Sequence, residues 1–156
     1  MVDVSHKHPT VRIALAEAVI KVTPEIMNLI SKNSLKKGDV FAVARIAGIT
    51  ASKKTSDLIP LCHNIMLSDV KIQFRIDKKN SQIYIYARVK THSTTGVEME
   101  ALTACSTSAL TIYDMCKAVS HDMTLGPIKL LGKSGGKEDF GQVEFEQIYY
   151  GDTNEI

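Results

Sequence analysis

Cysteine is scarce in this 156-residue chain: three residues, Cys62, Cys105 and Cys116, with no CxxC spacing. An odd, scattered count argues against a disulfide framework and against a structural zinc site. Long apolar runs are missing too. Nothing approaches the roughly 20 residues that a membrane helix needs, and the opening MVDVSHKHPT has no apolar core of signal-peptide type. Charge of one sign is not in excess. The net charge is +2, from 19 basic and 17 acidic residues, too balanced for general nucleic-acid or membrane-surface binding. There is no internal repeat, no low-complexity tract, no P-loop and no GxGxxG. What remains is 44% hydrophobic residues and 23% charged, enough for one domain over residues 1–156 with a real core. The expected compartment is the cytoplasm.

The pattern along the chain predicts an α+β fold. TVRIALAEAVIKVT places Val11, Ile13 and Leu15 at alternate positions and reads as a strand, although its alanines also allow a helix. TPEIMNLISKN reads as a helix capped by Thr23, with Pro24 in its first turn. LKKGDV is a turn, and Asp39 caps a second helix over DVFAVARIAGITASKK. TSDLIPLCHNIMLSDV is an irregular connector. VKIQFRID and QIYIYARVKTH alternate around KKNS as a hairpin. A long helix follows from about Val97 to Ser120. GPIKLLGK is expected as a strand, SGGKEDFG as a flexible loop and QVEFEQIYY as a last strand. The sum is a mostly antiparallel sheet with helices on one face.

The long helix carries charges that a buried rod would avoid. Thr95 and Glu98 fit a T-x-x-E capping box. Glu100 and Asp114, 14 residues apart, fall within roughly 40° of each other at 100° per residue. Asp114 and Lys117 are i, i+3 neighbours, so an acid–acid–base stripe is expected along one face. The rest of the helix is apolar on most sides and is expected to be packed on most sides. A plain Asp114–Lys117 surface pair is the bland alternative, worth about 0–1 kcal/mol. A lysine beside a carboxylate in a partly dry cleft is instead a proton donor or acceptor, if burial moves both groups toward neutrality. Cys105 and Cys116 read as packing residues. A zinc site from Cys62, His63 and His92 is a weak pattern.

DLIPLCHNIML, TTGVEMEALTACSTSALTIYDMCKAV and GPIKLLGKSGGK resemble the signature blocks of the molybdenum cofactor biosynthesis protein C family, the cyclic pyranopterin monophosphate synthases. MVDVS and KKGDVFAVARIAGITASKKT extend the resemblance over nearly the whole chain. The resemblance implies a ferredoxin-like α+β fold and a homohexamer, a trimer of dimers, with active sites at subunit interfaces. It implies a small-molecule substrate, cyclic dihydro-GTP, converted to cyclic pyranopterin monophosphate and pyrophosphate. No metal, organic cofactor, nucleic acid or membrane is implied. Residue by residue, it assigns Asp114, Lys117 and Lys37 to catalysis. It assigns Leu61, Cys62, His63, Glu98, Met99, Glu100 and Lys133 to substrate binding. The chain departs from the family pattern at Asn64-Ile65, at Thr94 and at Glu138-Asp139. The chemistry suits these residue types. Lysines steady the charge that builds on departing pyrophosphate, with Lys53 and Lys54 adding to the field. A carboxylate–lysine pair moves protons during ring opening and closure, and Glu100 and His63 hold the ring edges. Two other readings stand beside this one: a non-catalytic ferredoxin-like nucleotide-binding module, and a metal-binding protein.

Overall fold

In the computed structural model, which describes residues 1–147, β1 (Thr10–Lys21) is the central strand. Its alternation sorts side chains to two faces. Ala14, Ala16, Ala18 and Ile20 face the main core, whereas Leu15 belongs to a smaller cluster on the opposite face. Three alanines in a row on one face leave room for a helix to lie close against the strand. The chain continues through α1 (Pro24–Ser31), α2 (Val40–Ser52) and a short α3 (Thr55–Leu58). Then follow β2 (Asp69–Asp77), β3 (Gln82–Ser93), α4 (Glu98–Cys116), β4 (Thr124–Ser134) and β5 (Phe140–Gly141). All pairings are antiparallel, in the order β2-β3-β1-β4-β5. Without β5 this is the order 2-3-1-4 of a ferredoxin-like sheet. The α+β expectation holds, and β1 is the strand that its alternation predicts.

The helix starts follow local chemistry. Thr23 Oγ1 accepts from the Ile26 amide at 3.2 Å, and Asp39 Oδ1 accepts from the Phe41 and Ala42 amides at 3.0 Å. Each side chain satisfies amides that the first turn leaves bare. α4 lies across β1, β3 and β4, with α2 beside it over β2. Its inward residues are mostly small, including Ala101, Ala104, Cys105, Ser108 and Ala109. Cys105 and Cys116 are fully buried, as packing residues are.

Several expectations are corrected. The Thr95–Glu98 capping box does not form: α4 begins at Glu98 behind Val97, with no side-chain cap, because the Glu98 carboxylate reaches Lys133 instead. α4 ends at Cys116 rather than Ser120. It is packed on the sheet and on α2 but open on its outer side, where Leu110 is 60% exposed. α3 lies inside the stretch expected as an irregular connector. The glycine loop supplies β5, whose Gly141 pairs with Gly132. A side chain at Gly132 would meet the backbone of Gln142, so this pairing needs glycine there. The expected last strand is absent over residues 142–147, where Phe145–Gln147 forms a 3-10 turn. The remainder of that stretch lies outside the described residues. Among the described residues no helix is long and apolar enough to cross a membrane.

Candidate active site

The turn between α1 and α2 sets the first cluster. Gly38 takes a left-handed φ of 92° and its amide donates to the Leu35 carbonyl at 3.0 Å. This tight reversal sends Lys37 to the C-terminal end of α4. There its Nζ donates to Asp114 Oδ2 at 2.8 Å and to the Asp114 carbonyl at 2.9 Å. Lys117 Nζ pairs with Asp114 Oδ1 at 2.7 Å. A cation at this end of a helix also meets its negative dipole end. Asp114, Lys117 and Lys37 are thus brought together within one chain. Their setting is not the expected dry cleft: Asp114 is 55% exposed in this chain. Hydrogen bonds from Lys117 and then Lys37 push its carboxyl down to about 2. The same Asp114 contact raises the Lys117 ammonium above its usual range. The pair therefore moves away from neutrality, and Asp114 stays anionic while Lys117 stays protonated.

The second cluster lies at the other end of α4. Leu61, Cys62 and His63 from the α3–β2 connector, and Glu98, Met99 and Glu100 from the first turn of α4, line one cleft of about 160 Å³. Every residue assigned to ring binding is in it. Glu100 is only 5% exposed. Burial pushes its carboxyl up, with the neighbouring Glu98 carboxylate adding to the effect. Burial, and then Glu100, raise the Cys62 thiol as well. Thr95, Gly96 and Glu98 form a shared wall with a larger cleft of about 340 Å³. That cleft is basic: Lys7, Arg12, Lys133 and Lys137 line it against Glu98 and Glu138. Lys133 Nζ donates to Glu98 Oε1 at 3.1 Å.

Arg12 was not among the expected site residues. Its Nη2 donates to the Thr94 carbonyl at 3.5 Å, while its Nε is buried and has no hydrogen-bond partner among the described residues. A buried donor left bare is costly unless something fills the gap. The sequence holds a signal for it. In a strand, Arg12 shares the face of Ala14, Ala16 and Ala18, so the pattern puts a guanidinium on the core side. Two departures from the family pattern, Thr94 and Glu138, also line this basic cleft.

The expected stripe from Glu100 to Asp114 is not one site. Fourteen residues at 1.5 Å per residue separate them by about 21 Å along the helix. One end is buried and the other exposed. Among the described residues no group of three or more His, Cys, Asp or Glu side chains is placed to hold a metal ion, so Cys62, His63 and His92 do not form one.

The family model described as MoaC matches residues 1–136. The chain belongs to the MoaC family. The match takes in every residue assigned above to catalysis or substrate binding, and ends just before Lys137 and Glu138 of the basic cleft. Two bacterial relatives named cyclic pyranopterin monophosphate synthase support it. The protein of Syntrophomonas wolfei is 56% identical over 137 residues, covering 88% of this chain and 87% of its own length. That of Pelotomaculum thermopropionicum is 53% identical over 149 residues, covering 96% and 88%. Molybdenum cofactor biosynthesis protein 1 of Drosophila melanogaster is 54% identical over 144 residues, 92% of this chain. The chain spans only 26% of that longer protein.

Proposed function

We propose that this MoaC-family chain is a cyclic pyranopterin monophosphate synthase of molybdenum cofactor biosynthesis. It converts (8S)-3',8-cyclo-7,8-dihydroguanosine 5'-triphosphate to cyclic pyranopterin monophosphate and pyrophosphate in a site built from two chains. The observation that carries the two-chain site is the separation of the clusters. A binding cleft at one end of α4 and a carboxylate–lysine cluster at the other cannot meet around one small molecule within a chain. A homohexamer built as a trimer of dimers, acting in the cytoplasm, supplies the second copy.

The division of labour follows from the residues. Arg12, Lys133, Lys7 and Lys137 offer positive charge to the triphosphate. Glu100 and His63 offer hydrogen-bonding groups to the ring in the adjoining cleft. Lys37 and Lys117 of the second copy, held charged and aimed by Asp114, approach the reacting phosphate. An oxygen of the sugar-derived part attacks the first phosphorus, and the bond to the pyrophosphate oxygen breaks. The negative charge that develops there is stabilised by the two ammonium groups. Asp114, held anionic, fixes both ammonium groups in place, and Lys117 acts there as a lasting positive charge.

The deciding experiment supplies the cyclic triphosphate and follows pyrophosphate release. Wild type releases pyrophosphate, and Asp114→Asn loses turnover by about a hundredfold or more while keeping fold and assembly. Wild-type chain that binds the triphosphate without releasing pyrophosphate would return the assignment to a binding module.

A further inference from the structure

Residues 2–7 have no part in this reaction scheme except through Lys7. They belong to no helix or strand, and Val2 is 74% exposed. The segment is nevertheless shaped. Asp3 Oδ1 accepts from the Ser5 amide at 2.9 Å, and the Val4 carbonyl accepts from the Lys7 amide at 3.1 Å. At its root, Thr10 Oγ1 donates to the Gly135 carbonyl at 2.7 Å. A Cβ on Gly135 would run into the Val11 carbonyl, so this root lies hard against the glycine loop. Lys7 lines the basic cleft. At the tip, the Val2 carbonyl lies 2.8 Å from His63 Nε2. The segment therefore ties the two clefts together.

The contact at the tip decides the chemistry of His63. A carbonyl oxygen only accepts, so Nε2 must carry the hydrogen. In a neutral imidazole the other nitrogen, Nδ1, is then a bare acceptor. His63 lines the ring cleft, and with Nε2 engaged, Nδ1 is the nitrogen left for a bound molecule. Ionised Glu100, in the same cleft, is also acceptor-only. Two acceptors lining one cleft suit a ligand with an edge of N–H donors, such as an aminopyrimidinone presents.

We propose that residues 2–7 are a positioning strap: the Val2 carbonyl holds His63 as the Nε2–H tautomer and so fixes Nδ1 as an acceptor for an N–H of the ring-bearing ligand. The identity of that ligand rests on the function proposed above; the tautomer does not. The test labels histidine with 15N in the full chain and in a chain lacking residues 1–4. His63→Gln identifies the His63 signals. With the imidazole neutral, the full chain is expected to show a protonated-type Nε2 and a bare Nδ1. In the truncated chain both signals move toward each other, as the tautomers mix. Asp3→Ala, which opens the turn without shortening the chain, moves them the same way by less. KM for pyrophosphate release rises by about two- to tenfold on truncation, the loss of one oriented hydrogen bond, with little change in kcat. Unchanged His63 nitrogen signals on truncation, or a protonated Nδ1 in the full chain, would overturn the strap. A full chain that shows the tautomer signature yet releases no pyrophosphate keeps the strap and rejects the reaction.

Discussion

Glu100 is a carboxylate kept almost out of water, and among the described residues no lysine or arginine pairs with it. Its raised pKa makes the charged form a cost to the folded state. That cost is present at neutral pH and relieved as the pH falls through the raised value. Glu100→Gln should therefore stabilise the protein at neutral pH, by about 1 kcal/mol or roughly 2–4 °C in Tm, at the expense of ligand affinity. Thermal melts over a pH series should show the gap closing on acidification. Asp114 behaves in the opposite sense. Its depressed pKa means that its ion pairs persist below the ordinary aspartate range and fail only as the pH nears about 2. Replacing Lys117 with methionine should raise the Asp114 titration toward 3.8, read by carboxyl 13C NMR. At this scale the Asp114–Lys117 pair was legible from its i, i+3 spacing. Lys37 was not legible by spacing, because only the Gly38 turn carries it 77 residues along the sequence to Asp114. Arg12 was legible in principle, as a charge on the core side of β1.

Among the elements, α2 and α4 meet in a close-packed seam. Gly48 faces Ser108, Ile72 and the Ala104 carbonyl with no room for a Cβ. Ser108 Oγ donates to the Ala44 carbonyl at 3.0 Å in the same seam. Gly48→Ala is expected to destabilise by about 1–3 kcal/mol, measured by urea unfolding. The loss should exceed that at Gly38→Ala on steric grounds, since Gly38 has open space around it and only its φ objects. The elements that were legible are those whose signals are local: the alternation of β1, the caps Thr23 and Asp39, and the hairpin of β2 and β3. The failures share one cause. Glu98 has a good local role as a capping-box partner, but a lysine on β4, distant in sequence, draws it away. β5 exists only because Gly132 and Gly141 let two backbones approach. Neither contact leaves a periodic trace in the sequence.

At the scale of the molecule, the fold class followed from the order of elements. The strand order 2-3-1-4 was available only through family likeness, since periodicity does not say which strands are neighbours. The proposed two-chain site gives a sharp expectation. Asp114→Asn and Glu100→Ala chains should each be inactive alone. Unfolded together and co-refolded, they should regain activity at up to about a quarter of the sites, the share in which random pairing brings an intact cleft to an intact cluster. Pyrophosphate release from the mixture measures it, and a site contained within one chain would regain nothing.

The 19-residue rod of α4 thus faces two ways. In the proposed two-chain site, whatever it lends at its tail is used by a neighbour, and what it needs at its head must be borrowed. An isolated copy would then be an idle one. Turnover per chain should fade on dilution well before the fold does, with concentration itself serving as the on-switch.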